Sequence, residues 1–335
     1  MSSHVHTSAP VSPAFRRLAL SAAITTLVVI AVGGATRATD SGLACPTWPG
    51  CFSTGDFLPP TSADFQDARG LSMSGINIWL EHSHRLIAGL LALQIAALLV
   101  WVLKSYRRVP GLLWPVVAAA VAVNVQALLG ALVVWNMVRA ELVTTHLGLG
   151  TATMGLMIYV AARARGPMHL PADAGRRRLL RFALVVTGVL WVQILVGGHL
   201  TGVHGGLAYV SDPMRGLFSI GPIRIEAEAF NVVHRYLAYI VAGLIMVLSG
   251  RVRRAGVGGA ARGWSLAAAG LVGVQIILGI TNLYSNLSFV SVIPHLMVAS
   301  WILAAMVMVC IALTEREGAV AAPDPADLGA ERALA

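Results

Sequence analysis

The hydrophobic residues of this chain fall into long runs, each about the length of a membrane-spanning helix. Three runs, 109–138, 182–211 and 263–314, contain no Asp, Glu, Lys or Arg, and a spanning helix needs only about 20 apolar residues. The third run is long enough for two spans. The full pattern predicts eight transmembrane helices, at residues 16–36, 79–103, 112–135, 141–162, 180–200, 229–250, 263–283 and 290–313.

The composition also indicates that most of the chain lies in lipid. Of the 335 residues, 57% are hydrophobic and 12% are charged, which is more apolar than a soluble domain can hide in one core. The net charge of +9 does not indicate a nucleic-acid surface, because the basic residues form short clusters between the apolar runs. The first run follows Arg16 and Arg17 but is a full span long, so we interpret it as a retained helix and not as a signal peptide.

The basic clusters predict the orientation of the chain. They follow span two and connect spans four and five and spans six and seven, so the positive-inside rule places these loops in the cytoplasm. An even number of spans then places both termini there, with residues 1–15 as one tail and residues 315–335 as a disordered second tail. The opposite loops face outward. One of them contains Cys45 and Cys51, which could form a disulfide, either as a structural staple or as a redox-active pair.

Four spans of the first half resemble four spans of the second half in the same order. His-Arg at 84–85 recurs at 234–235, His-Leu at 146–147 recurs at 295–296, and Gly-Gly at 33–34 recurs at 197–198. This repeat predicts an all-α integral membrane fold of two tandem duplicated four-helix bundles, a first half over 16–165 and a second half over 166–314. Because each half has four helices, both halves run in the same direction through the membrane.

Each half contains two histidines at a similar predicted depth: His84 and His146 in the first, and His234 and His295 in the second. Each lies about five residues from the outer end of its span, roughly 8 Å deep at 1.5 Å per residue. Two imidazoles that face each other across a bundle can ligate one heme iron from both sides. Since ionisable residues are costly in lipid, the pattern predicts two heme sites. Interhelical hydrogen bonding is the alternative role, and intramembrane zinc is a weaker one because it calls for carboxylate or thiolate ligands.

Charged residues near these histidines differ between the halves. Arg85 and Arg235 each follow a candidate ligand, and a buried guanidinium needs an anionic partner, either a heme propionate or a carboxylate. Glu81 lies one turn before Arg85, whereas the second half has Asn231 there. This asymmetry predicts that chemistry occurs in the first half, with Glu81 exchanging a proton or stabilising a developing cation. A plain ion pair with Arg85 is the alternative. Arg37 is a further candidate for a propionate contact or an interfacial anchor.

Three other histidines fit the pattern less well. His82 adjoins His84 but points about 100° away from it on a helix, and His199 and His204 lie near an outer loop. We expect them to be surface residues or neighbours of the site.

Together these motifs resemble the heme A synthase family of aerobic respiratory bacteria and mitochondria. The resemblance rests on Gly33-Gly34-Ala-Thr-Arg37, Ser41-Gly42-Leu43 with Cys45 and Cys51, Glu81-x-x-His84-Arg85, Thr145-His146, His234-Arg235 and Pro294-His295. It covers residues 22–313 approximately. It implies an oxidoreductase of the bacterial cytoplasmic membrane that converts heme O to heme A for cytochrome c oxidase.

The resemblance also implies a role for each motif. The reaction is an oxygen-dependent, stepwise hydroxylation of one porphyrin methyl to a formyl group. The substrate heme belongs to the first pair of histidines and a heme b cofactor to the second pair, and Glu81 matches the catalytic glutamate. Cys45 and Cys51 match the outer-loop pair of the family, whereas Tyr209 stands where some members have a second pair. A heme with two axial histidines has no free position for oxygen, so either one ligand leaves or oxidation proceeds without oxygen bound to iron.

The expected partners are a heme O synthase, molecular oxygen, an electron donor of unknown identity and the lipid bilayer. Two functions from other classes compete with this interpretation. A diheme cytochrome b in quinol-linked electron transfer would also use two histidine pairs, but it does not account for a carboxylate in one half only. A transporter with duplicated halves would bind its substrate near the midplane, whereas these histidines lie near the outer surface.

Overall fold

The computed structural model describes residues 11–52, 65–166, 168, 171, 173–208, 218 and 222–314. Within them, eight α-helices are long and apolar enough to cross a membrane. They are α1 (Pro13–Ala38), α2 (Gly75–Trp101, continued by a π-helical turn at Val102–Tyr106), α3 (Leu113–Trp135), α4 (Ala140–Arg165), α5 (Ala174–Gly202), α6 (Glu226–Arg254), α7 (Gly259–Tyr284) and α8 (Phe289–Ala312).

All eight predicted spans are confirmed. Their bounds agree with the observed helices to within six residues, the largest difference being at the start of α5, at 174 against the predicted 180. The side chain of Asp173 accepts a hydrogen bond from the backbone N–H of Arg176 there, so the helix is capped in the polar loop before its apolar run begins. The terminal tails at 1–10 and 315–335 and the residue Tyr209 lie outside the described residues.

The helices pack as two rings of four. In the first ring α1 contacts α2, α2 contacts α3, α3 contacts α4 and α4 contacts α1, and in the second ring α5 to α8 make the same four contacts in order. The rings meet through contacts of α4 with α5 and α8 and of α1 with α8, and α4 and α8 are the most buried of the eight helices. The predicted architecture of two four-helix bundles is therefore observed, while the common origin of the halves stays a prediction.

The ends of α3 and α7 on the side of the Cys45–Cys51 loop break in the same way. This side is called the outer side after the predicted orientation. Met137 and Val138 after α3 have φ angles of 56° and 54°, and Asn286 and Leu287 after α7 have φ angles of 51° and 61°. Residues other than glycine seldom adopt these left-handed angles, at a cost on the order of 1–3 kcal/mol each. The two breaks are separated by 149 residues (286 minus 137), which is also the separation of the histidines on α4 and α8.

The first outer loop contains a short hairpin held by a buried carboxylate. Strands β1 (Phe65–Gln66) and β2 (Ser72–Met73) pair antiparallel. Between them the side chain of Asp67 is fully buried and lies 2.7 Å from the guanidinium of Arg69. Burial raises the pKa of Asp67, but hydrogen bonds from Arg69 and from the backbone N–H of Leu71 outweigh this effect, and the pKa lies below its ordinary value. Arg69 also donates to the backbone oxygen of Asp40 at 3.0 Å, which ties the hairpin to the end of α1.

Candidate functional site

The first bundle brings the rings of His84 and His146 close together, with an angle of 66° between their planes. They lie on α2 and α4, the two diagonal helices of the first ring, and their ring centroids are 6.4 Å apart. Two imidazoles that each bond one metal from opposite sides at roughly 2 Å would have centroids about 6 Å apart. The spacing of this pair therefore fits a single iron between the rings.

The second bundle places His234 and His295 on the corresponding diagonal, on α6 and α8. Both residues are of intermediate burial, and their side chains are close enough to interact electrostatically. Among the described hydrogen bonds of all four histidines, none uses Nε2, and the bonds that are made involve Nδ1. The nitrogen that usually binds heme iron is therefore left available in each of them.

His84 and His234 lie farther from the starts of their helices than the sequence predicts, whereas His146 and His295 lie close to the predicted position. His146 and His295 are six residues from the start of their helices (146 minus 140 and 295 minus 289), and His84 and His234 are nine and eight residues from theirs. At 1.5 Å per residue these positions correspond to about 9 to 14 Å. For His84 and His234 the prediction of about five residues was too small, because α2 and α6 begin several residues before the predicted spans.

Each of the four imidazoles packs against a glycine of a neighbouring helix. A Cβ at Gly33 on α1 or at Gly197 on α5 would lie 2.7 Å from Cε1 of His84 or His234. On α3 and α7, a Cβ at Gly130 or Gly279 would lie 3.4 Å from Cε1 of His146 or 3.3 Å from Cε1 of His295. A separation of 2.7 Å is far inside van der Waals contact, so the first two rings fit only because no side chain is present. The sequence shows these glycines as part of the repeat but not as part of the site.

Backbone groups face the Nδ1 atoms of three of the four rings, and that of His84 is within hydrogen-bond distance. Nδ1 of His84 lies 3.2 Å from the carbonyl oxygen of Val29, and Nδ1 of His146 and of His295 face the backbone of Gln126 and of Gln275 without reaching hydrogen-bond geometry. Metal-binding histidines usually direct their second nitrogen to such an acceptor, which fixes the tautomer. The fourth ring, that of His234, has a side-chain partner instead, Gln193.

Glu81 lies at the outer end of the first site and is 4% exposed. Its carboxylate accepts a hydrogen bond from the backbone N–H of Cys45 at 2.7 Å and pairs with the guanidinium of Arg85 at 2.5 Å. Arg85 also donates to the carbonyl oxygens of Thr47 and Gly50. The ion pair considered from the sequence is therefore present, and the anionic partner of Arg85 within the chain is Glu81.

Cys45 and Cys51 form a disulfide, and both cysteines are buried. His82 is also buried, and one of its ring nitrogens lies within 4.8 Å of the two sulfur atoms. His82 is thus a neighbour of the disulfide and not a surface residue. The outer loop, the disulfide and α2 form one packed unit above the first histidine pair.

The outer end of the second site has no carboxylate at the position of Glu81. Asn231 is buried there and donates to the carbonyl oxygen of Gly205 at 2.8 Å. Nearby, His199 lies 2.8 Å from the Glu226 carboxylate and packs on the ring of Phe230. As the sequence predicts, the first site therefore has a buried carboxylate at this position, whereas the second site has a buried amide.

The remaining predicted residues lie at the outer ends of the helices. Arg37 pairs with Asp40 and donates to the carbonyl oxygen of Thr201 on α5, both at 3.0 Å, so it links the two bundles. Its Nε is buried and has no hydrogen-bond partner among the described residues, which leaves one donor for an anionic ligand group. Arg235 makes interactions of its own, and a propionate contact stays a prediction for it. His204 is exposed and follows α5.

The sequence as a whole matches one family and several curated relatives. Residues 16–307 match the family COX15-CtaA, described as cytochrome oxidase assembly protein. A heme A synthase from Shewanella oneidensis is 28% identical over 297 residues, which cover 81% of this chain and 88% of that protein. Heme A synthases from Methylobacterium sp. and Nitrosospira multiformis are 29% and 28% identical, covering 81% and 76% of this chain and 84% and 81% of those proteins. Because the family match spans nearly all of the helical region that contains the four histidines, this chain belongs to the COX15-CtaA family of cytochrome oxidase assembly proteins.

Proposed function

We propose that this protein is a heme A synthase, a membrane oxidoreductase that converts heme O to heme A for cytochrome c oxidase. The observation that carries the proposal is the pair of histidines 6.4 Å apart in the first bundle, with a buried carboxylate one turn outward. The names of the curated relatives support the same reaction. Heme O and molecular oxygen are then the substrates, and one methyl group of heme O becomes a formyl group.

In this proposal the two bundles have different tasks. His84 and His146 hold the substrate heme in the first, and His234 and His295 hold heme b in the second. Heme b supplies one-electron redox chemistry when it is bound. The glycine that packs against each ring supports a ligand role for all four histidines, because it lets the neighbouring helix approach the imidazole closely and limits where the ring can lie.

Glu81 is proposed to hold or transfer a proton beside the substrate methyl group. Its ion pair with Arg85 and its hydrogen bond from Cys45 keep the carboxylate in one position, and a positioned carboxylate is suited to act as a general acid or base. Arg37, with one buried donor unpaired among the described residues, is proposed to contact a heme propionate, and Arg235 is proposed to do so in the second bundle.

The Cys45–Cys51 disulfide is proposed to brace Glu81. The four carbonyl oxygens that Arg85 contacts all lie in the loop that this bond closes, namely those of Cys45, Thr47, Pro49 and Gly50. A loop fixed in this way fixes Arg85, and Arg85 in turn orients the carboxylate. A redox role for the pair is the alternative.

The protein is further proposed to lie in the bacterial cytoplasmic membrane with both termini in the cytoplasm and the disulfide loop outside. The basic residues at the ends of α2, α4 and α6 support this orientation. A heme O synthase is the proposed supplier of substrate, and the electron donor is unassigned. The two halves, 16–165 and 166–314, are proposed to have arisen by duplication. The left-handed residues at matching positions after α3 and α7 support this proposal.

The proposal is tested by identifying the hemes in protein purified from cells that supply heme O. Chromatography of the extracted hemes should give heme A or hydroxylated heme O beside heme b. Two molecules of heme b per chain and no oxidised heme O would instead support the second candidate, a quinol-linked diheme cytochrome b, which the two histidine pairs also fit.

A further inference from the structure

Among the four candidate ligands, His234 is distinguished by a hydrogen bond between its ring and a side chain of the described residues, that of Gln193. The Nε2 atom of Gln193 lies 3.0 Å from Nδ1 of His234 and 2.9 Å from the backbone oxygen of the same residue. At the helix offset of 164, the counterpart of Gln193 in the first half is Val29 (193 minus 164), whose side chain has no hydrogen-bonding group. Among the residues that the structure describes, only the second bundle therefore places a side-chain amide on a candidate ligand ring.

Gln193 is a buried residue with one unsatisfied atom. It is 8% exposed and lies on α5 one turn before Gly197, against which the His234 ring packs. Its Oε1 is buried without a hydrogen-bond partner among the described residues. Leaving a buried acceptor unpaired is unfavourable, so this oxygen is expected to gain a partner in another state of the site.

The tautomer of His234 decides whether its Nδ1 bonds to the nitrogen or to the oxygen of the Gln193 amide. When Gln193 donates its two Nε2 hydrogens to the ring and to the carbonyl oxygen, Nδ1 is an acceptor and the ring proton lies on Nε2 of the imidazole. Iron binds the unprotonated Nε2, so ligation leaves the proton on Nδ1 and turns that atom into a donor. Rotation of the amide about its soft terminal torsion then brings Oε1 to Nδ1–H. This rotation gives up the bond from Nε2 to the backbone oxygen of His234, so the amide exchanges one hydrogen bond for the other.

We propose that Gln193 is a positioning residue for the heme held by His234, and that it tunes the reduction potential of that heme. The proposal rests on the proposed function, which assigns His234 as an axial ligand. An acceptor on Nδ1–H increases the basicity of the ligand, and a more basic ligand favours oxidised iron and lowers the potential. Lowering the potential of this heme favours electron transfer from it to an acceptor, as a relay requires.

The experiment compares Gln193→Val and Gln193→Glu with the unmodified full-length protein, each purified with its hemes. Valine copies the first half and removes the side-chain acceptor, whereas glutamate supplies a stronger, anionic acceptor. In a redox titration followed by absorbance, the potential of the second heme should rise in Gln193→Val and fall in Gln193→Glu. Gln193→Val should also bind this heme about tenfold more weakly, and the first heme should keep its potential in both variants.

Gln126→Leu is the matched control. Gln126 donates to the backbone oxygen of His146 at 2.7 Å but does not hydrogen-bond to its ring, so its loss should alter heme retention without shifting either potential. Should Gln193→Glu fail to accumulate, Gln193→Asn, whose amide is one carbon too short to reach Nδ1, should raise the potential as Gln193→Val does.

Two outcomes separate this inference from the function on which it rests. Shifts of one sign in Gln193→Val and Gln193→Glu, or no shift in either, with both hemes retained, would overturn the role of Gln193 alone. A His234→Ala variant that keeps its full heme content would remove the ligand assignment itself, and with it the proposed division between the bundles.

Discussion

The carboxylate of Glu81 accepts a hydrogen bond from the backbone N–H of Cys45 at a distance of 2.7 Å. This bond joins α2 to the disulfide loop one turn outward from His84. In the second half the same position holds Asn231, which also fixes its outer loop but carries no charge. The residue at this position therefore holds its loop in both halves. Removing the charge of Glu81 while keeping its hydrogen bond tests whether the charge also has a chemical role.

Replacing Glu81 by glutamine should leave heme bound but abolish heme A formation. The glutamine side chain keeps an acceptor for the Cys45 N–H, whereas the proton-transferring carboxylate is lost, and such groups contribute roughly 10²- to 10⁴-fold to rate. Heme A output is measured by chromatography of extracted hemes. Asn231→Ala is the control, since it disturbs the second loop without touching Glu81. Undiminished heme A from Glu81→Gln would remove this carboxylate from the mechanism.

Replacing both Cys45 and Cys51 by serine should reduce heme A formation in part and leave heme b content unchanged. Without the bond, the loop carbonyls that hold Arg85 become mobile, and the carboxylate of Glu81 is less well oriented. Limited proteolysis should cleave the outer loop faster in this variant. If activity instead disappears completely while the loop resists protease as before, the pair has a redox role.

The spans were predictable because lipid leaves the backbone few alternatives to a helix. The lengths of the apolar runs located all eight spans. The errors lie at helix ends such as the start of α5, where Asp173 caps the helix before the apolar run begins. The approach of His84 to His146 was predictable for a related reason, since an imidazole inside a membrane requires a partner. Their role as heme ligands stays a prediction.

The contacts between helices were not predictable, since they depend on how each helix is rotated. The packing of Gly33 on His84 and the bond from Gln193 to His234 join residues 51 and 41 positions apart (84 minus 33 and 234 minus 193). The recurring glycines were a usable signal, because a glycine that repeats beside a candidate ligand indicates close approach. Gln193 gave none, since its counterpart in the repeat is Val29.

Histidine substitutions should separate the two hemes. His234→Ala should lose the heme b spectrum and keep binding of heme O in the first bundle, because its ring contacts Gly197 and Gln193 of the second bundle only. His84→Ala should keep heme b and lose conversion of heme O. Absorption spectra of reduced protein, with chromatography of the hemes, distinguish these results. Loss of the same heme species in both variants would contradict the assignment of one heme to each bundle.

The hairpin of the first outer loop should lose stability in acid through Asp67. Since the pKa of this carboxyl is lowered in the folded protein, its ionised form contributes stability that is fully present above the unfolded pKa, about 3.9. That contribution is lost as the pH falls through the folded pKa. Proteolysis of the loop at neutral pH should be faster in Asp67→Asn than in the unmodified protein. Equal rates would show that the Asp67–Arg69 pair does not hold the hairpin.

Adding one methyl group to Gly33 or Gly197 should displace the heme of the bundle concerned. The Cβ of Gly33→Ala would lie 2.7 Å from Cε1 of His84, and that of Gly197→Ala the same distance from Cε1 of His234, so the imidazole must move away from its ligating position. Gly188→Ala on α5 is the control, because its Cβ would meet no atom within 4 Å, and replacing a helical glycine by alanine stabilises the helix by up to about 1 kcal/mol.

Heme content and thermal unfolding, measured together, decide the outcome for these glycines. Gly197→Ala should lose heme b and Gly33→Ala should lose substrate heme, while Gly188→Ala should retain both and unfold at an equal or higher temperature. If Gly33→Ala and Gly197→Ala fold normally and keep both hemes with unchanged spectra, the rings have room to shift. In that case the glycines are not what positions the histidines, and the orientation of the ligands must come from their Nδ1 contacts instead.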